Sequence, residues 1–109
     1  MSEPVQSVPV TGVPQDAVLL DVREDDEWAA GHAPGALHVP LGDLPARLGE
    51  LPADAELHVL CRAGGRAARA AAWLSANGVD AVVVDGGMGA WADAGRPLVG
   101  DGAESPRVL

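Results

Sequence analysis

No lysine, phenylalanine or tyrosine occurs among the 109 residues, and there is a single cysteine. With sixteen Asp and Glu against seven basic residues, the formal net charge is −9. That balance argues against nucleic acid or an anionic membrane as a partner, since both are bound by basic surfaces. One cysteine makes no internal disulfide, and a free thiol suits a reducing compartment. No apolar run is long enough for a bilayer crossing, and the amino end shows no basic segment leading into an apolar one. A cytoplasmic protein is therefore expected. Trp is the only aromatic, so Ala, Val and Leu must build the core of what is, at this length, one domain. The fourteen glycines and nine prolines follow no period, which sets aside collagen-like and repeat architectures.

What is present is an alternation of short apolar runs and helical patterns. Residues 1–17 are broken by Pro4, Pro9 and Pro14, leaving room for a short edge strand at most. VLLDV (18–22), ELHVLC (56–61) and AVVVD (81–85) read as buried strands. A short helix is expected over 23–31, with acids in its first turn and Gly31 at its end. A brief extended piece follows at 37–39, and Leu41, Leu44 and Leu48 mark a small amphipathic helix ending near Gly49. Residues 66–77 form an alanine-rich helix with Ala67, Ala70, Ala71 and Leu74 on one face, and a last helix covers GMGAWADAG. Residues 99–109 read as a polar tail. Such alternation indicates an α/β fold around a mainly parallel sheet.

The cysteine falls at the carboxyl end of a strand, where α/β sheets bind ligands. After Cys61 come Arg62, Ala63, Gly64 and Gly65 before a helix opens near Arg66. Adjacent glycines let successive backbone N–H groups curl into an anion-binding concavity, and the helix N-terminus adds unpaired N–H groups. A thiol held there loses its proton more readily, and the thiolate is the nucleophile. Arg66 and Arg69 sit in the first helical turn, where a cation opposes the helix dipole by about 0.3–1 kcal/mol. A bound anion, whether thiolate or substrate, removes that conflict.

The loop CRAGGRA resembles the active-site loop of rhodanese-like sulfurtransferase domains, commonly Cys-Arg-Ser-Gly-x-Arg-Ser. LLDVREDDEWAAGHAPGALHVP is similar to the family's N-terminal signature, with Asp21, Val22, Arg23, Glu27, Trp28, Gly31, His32, Gly35, Ala36 and Pro40 in register. VDGGMGAWADAGRPL is similar to its C-terminal signature through Gly86, Gly87, Trp91, Gly95 and Pro97. The resemblance runs from about Val5 to Leu98. It implies one rhodanese-like domain over 1–98 with helices on both faces of the sheet, and a sulfurtransferase of the thiosulfate type. Cys61 would attack the sulfane sulfur of a small anionic donor, thiosulfate or a persulfide, and hold it as a persulfide. A thiol or cyanide would then remove it, with thioredoxin or another sulfur-relay protein among the acceptors. Arg62, Ala63, Gly64, Gly65, Arg66 and Ala67 would form the binding loop, with Arg62 and Arg66 attracting the donor. Neither a metal nor an organic cofactor is called for.

Two other readings stand beside this one. The first is a carrier or interaction module that accepts a persulfide without turning over free thiosulfate. The second is a small phosphatase or arsenate reductase of the same fold. Those relatives carry a Cys-x5-Arg loop, whereas four residues separate Cys61 from Arg66 here, which disfavours oxyanion chemistry. Ala63 and Ala67 stand where the family commonly has hydroxyls, so stabilisation of a persulfide would rest on backbone donors.

The remaining polar residues have structural readings. Asp21 is expected to bond loop N–H groups, and Arg23 to pair with Glu27 across one helical turn. His32 is expected to fix a turn. His58 should face away from Cys61 on the strand, and His38 lacks partners at metal-ligand spacing. Asp25, Asp26 and Glu27 make an acidic first turn. GGMGAW lacks the Gly-Lys-Ser/Thr ending of a phosphate-binding loop. Trp28, Trp73 and Trp91 are packing residues.

Overall fold

A computed structural model describes residues 5–109; Pro4 lies outside this range. Among the described residues there are five strands: β1 (Ser7–Pro9), β2 (Val18–Asp21), β3 (Leu37–His38), β4 (Leu57–Leu60) and β5 (Ala81–Asp85). The helices are α1 (Asp25–Ala30), α2 (Leu44–Arg47), α3 (Gly65–Ala76) and α4 (Gly87–Asp93). All strands pair in parallel, in the order β1-β5-β4-β2-β3. The expected α/β architecture is therefore present, with β1 as the short edge strand that the prolines allow.

The middle strand β4 is buried at every position, as a strand covered on both faces must be. Leu57, Val59 and Cys61 join Leu20, Leu44, Ala67, Ala70, Ala71 and Leu74 in one apolar cluster. Leu60 joins Leu19, Val84, Met88 and Trp91 in a second. Helix α3 thus covers one face of the sheet with the small residues expected of it, and α4 covers the other.

The leucine-marked helix departs from expectation. It is one turn, Leu44–Arg47, between 3-10 turns at Leu41–Asp43 and Leu48–Glu50. The physical reason is Pro45 in its first turn, which has no N–H to give to the carbonyl four residues back. Residues beyond Leu98 form no helix or longer strand, yet they lie as a strap against α1. His32 and Val99 exchange backbone hydrogen bonds of 2.8 and 2.9 Å. Asp101 and Arg107 donate to the carbonyls of Ala29 and Ala30. Gly31 makes the close approach possible, because a Cβ there would collide with the Arg107 backbone.

Strand order positions the site. The connection from β2 leads to β3 on one side, and that from β4 leads to β5 on the other. Between the carboxyl ends of β2 and β4 the two connections diverge, opening the crevice where α/β proteins place ligands.

Candidate active site

Cys61 is the residue after β4, and its side chain is 1% exposed. Its carbonyl accepts from Met88 N–H at 2.7 Å, and the Arg62 carbonyl accepts from Gly89 N–H at 3.0 Å. A trans peptide points its N–H opposite its C=O. Fixing these two carbonyls on α4 therefore turns the N–H groups of Arg62 and Ala63 away from that helix. Gly64 then takes φ +127°, a conformation that L side chains rarely adopt, and its N–H lies 2.9 Å from Cys61 Sγ as a donor. Helix α3 starts at the next residue.

Gly87, also at positive φ, packs so tightly on this turn that a Cβ would strike the Cys61 carbonyl. The contact of α4 with the cysteine loop was not foreseen from the sequence. The signal for it is the Gly86–Gly87 pair, which reads locally as a helix start and in space as a close approach.

The expected loop residues separate in the structure. Ala63 and Gly65 are exposed, Gly64 and Arg66 are half-buried, and Ala67 is fully buried in the core under α3. Arg62 is exposed, and its Nε donates to the Leu109 carbonyl at 2.8 Å, so the strap reaches the loop.

Arg66 is held by the protein's own carboxylate. Its Nη1 and Nη2 donate to Glu27 Oε1 and Oε2 at 2.6 and 2.9 Å. This overturns the expected Arg23–Glu27 pair. Arg23 lies before the helix, ahead of the N-cap Glu24, so the one-turn spacing that joins residues on a helix does not apply to it. It turns inward instead, is 0% exposed, and donates through Nε and Nη2 to Asp21 and through Nη2 to the Gly31 carbonyl. Asp21 also accepts from the Arg23 backbone N–H, the loop bond expected of it.

Helix α1 is rigidly placed for its role. Glu24 and Glu27 form a capping box, in which each side chain accepts from the other's backbone N–H. Trp28 is stacked between His32 and His38, with ring centroids 3.6 and 4.6 Å away and planes within 5°. Nδ1 of His32 donates to the Trp28 carbonyl at 2.7 Å, and Nε2 of His38 donates to the Arg23 carbonyl at 2.8 Å. The bonds from Arg66 hold the Glu27 carboxyl down at about 2, against the opposing effect of burial. Arg66 is raised above its ordinary value, first by Glu27 and to a lesser degree by the Cys61 sulfur. The Glu27–Arg66 pair thus joins α1 to the first turn of α3, five residues after Cys61. Among the described residues, no group of three His, Cys, Asp or Glu could hold a metal ion, and no helix is long and apolar enough to cross a membrane.

Residues 11–94 match the family described as Rhodanese-like domain. YtwF of Bacillus subtilis is 39% identical over 83 residues, which are 76% of this chain and 81% of YtwF. A protein of Allochromatium vinosum named "Sulfurtransferase" is 38% identical over 86 residues, 78% of this chain and 80% of its own. Among solved structures, a rhodanese-related protein from Thermoplasma volcanium superposes with a TM-score of 0.82 at 30% identity, covering 86% of this chain and 97% of that one. The chain belongs to the rhodanese-like family.

Proposed function

We propose that the chain is a sulfurtransferase that carries a sulfane sulfur on Cys61. The observation that carries this reading is the Gly64 N–H donating to Cys61 Sγ at 2.9 Å within a loop of four residues between Cys61 and Arg66. Similarity to a protein named sulfurtransferase supports the same chemistry. With thiosulfate as donor, the Cys61 thiolate forms a bond to the outer sulfur as the bond to the sulfonate sulfur breaks. Sulfite leaves with the electron pair, and Cys61 remains as an anionic persulfide. A thiol or cyanide then attacks the terminal sulfur, and the Cys61 thiolate is released. The loop N–H groups stabilise negative charge on sulfur at each stage, in the manner of an oxyanion hole. With the thiol only 1% exposed, a protruding terminal sulfur atom can approach it where a bulky electrophile cannot.

The test is the intact mass of the protein after thiosulfate treatment, beside cyanide-dependent thiocyanate formation. Wild type should gain one sulfur atom, and Cys61→Ser should gain none while keeping its melting curve. Retained sulfur transfer by Cys61→Ser ends the assignment. Loading that requires a partner protein points instead to a carrier, and hydrolysis of a phosphate ester without sulfur loading points to the phosphatase branch.

A further inference from the structure

We infer that Glu27 determines donor specificity, by occupying the guanidinium fork of Arg66 and so disfavouring a dianionic donor relative to an organic persulfide. The inference rests on the sulfur-transfer reading above and narrows its substrate class.

An arginine beside a nucleophilic thiolate is the expected receptor for a donor such as thiosulfate. Here both terminal nitrogens of that arginine are already bonded to one carboxylate, in the bidentate geometry that suits guanidinium best. Glu27 is not free to swing aside. Its Oε1 also accepts from the Glu24 N–H at 3.0 Å, and its helix is anchored by the His32–Trp28–His38 stack. The pair is partly enclosed, with side chains 33% and 15% exposed, so solvent screens it less than a surface pair. Its net charge is zero.

The surroundings add mostly carboxylates. Glu24 also acts on Arg66, and Glu24, Asp25, Asp26 and Asp43 line a neighbouring hollow of about 460 Å³. Arg62 remains, exposed and bonded to the Leu109 carbonyl.

Charge counting during the reaction then separates the donors. Thiosulfate carries two negative charges and the attacking thiolate one, so three must be held together in the loop. An organic persulfide reacts as Cys61–S⁻ + R–S–SH → Cys61–S–SH + R–S⁻. The Cys61–sulfur bond forms, the inner S–S bond breaks, and R–S⁻ leaves with the electron pair; the proton stays on the terminal sulfur. For the neutral persulfide one negative charge is present throughout; an ionised persulfide brings a second, still one fewer than thiosulfate. Like charges at close range in a partly buried site repel by kilocalories, so a site neutralised by Glu27 discriminates against the first donor.

The experiment compares the rates at which thiosulfate and cysteine persulfide load Cys61, read by intact mass, in wild type and Glu27→Gln. The amide keeps the shape and can still accept hydrogen bonds, but releases the charge of Arg66. The ratio of thiosulfate to persulfide rates should rise about tenfold in the variant. In wild type, thiosulfate loading should speed up with ionic strength, because salt screens the repulsion; this arm needs no variant. An unchanged ratio, or thiosulfate loading that slows with salt, overturns the inference while leaving sulfur transfer intact. Failure of both donors to load wild type overturns the sulfur-transfer reading itself, and this inference falls with it.

Discussion

Two arginine–carboxylate pairs lie at the carboxyl ends of neighbouring strands, and their difference is instructive. Asp21–Arg23 is closed off, with side chains 1% and 0% exposed. Glu27–Arg66 sits at the mouth of the crevice, with side chains 15% and 33% exposed. The first pair ties the end of β2 to the Gly31 carbonyl and builds the frame on which α1 stands. The second joins that frame to the first turn of α3, five residues after Cys61. The same two chemical groups are closed off in one place and partly open in the other, and enclosure decides how much water shares the charge.

The comparison can be broken most forcefully at Asp21. Asp21→Asn leaves the enclosed Arg23 charge without its counterion and should cost about 3–5 kcal/mol of stability in denaturant titration. A loss below about 1 kcal/mol would show that Arg23 reaches water and that the two pairs are not different in kind.

Gly87→Ala comes next, since it attacks the loop rather than either pair. Its Cβ would meet the Cys61 carbonyl at a positive φ, so about 1–3 kcal/mol of stability should be lost. Displacement of the loop should also slow sulfur loading at least tenfold, an effect on geometry that neither ion pair can rescue.

Glu27→Gln should cost about 1–3 kcal/mol, more than an exposed pair and less than a fully buried one. Its signature lies in pH. The Glu27 carboxyl falls from 4.5 unfolded to about 2 folded, so its contribution is fully present above about 4.5 and disappears as pH drops toward 2. Melting curves over that window should be less steeply acid-sensitive in the variant than in wild type. Equal steepness would mean the carboxylate adds no stability.

The smallest effect is expected at the surface pair Arg47–Glu50, three residues apart and bonded at 3.0–3.2 Å. Arg47→Ala should leave the melting temperature unchanged within measurement, because both groups are well solvated. A measurable drop would show that bond count, and not enclosure, ranks these pairs.

Much of the fold was legible because its signals are local. The apolar runs at β2, β4 and β5 and the alanine face of α3 act through neighbours along the chain. The turn from Cys61 to Arg66 was legible for the same reason: two glycines, a strand end and a helix start lie within a few residues. The error at Leu41–Glu50 was also local, since leucine spacing outweighed a proline that stops the helix from extending.

By itself, then, the sequence determined the parallel α/β architecture and the place of the one thiol at a strand-to-helix turn, because propensity and periodicity operate over a single element. Only tertiary structure decided which carboxylate Arg66 meets, 39 residues away, and which pair is enclosed. It also decided that α4 clamps the carbonyls of the cysteine loop, and that the strap beyond Leu98 reaches Arg62. Those contacts depend on the order in which strands pack side by side, and side-chain spacing along the chain carries no record of that order.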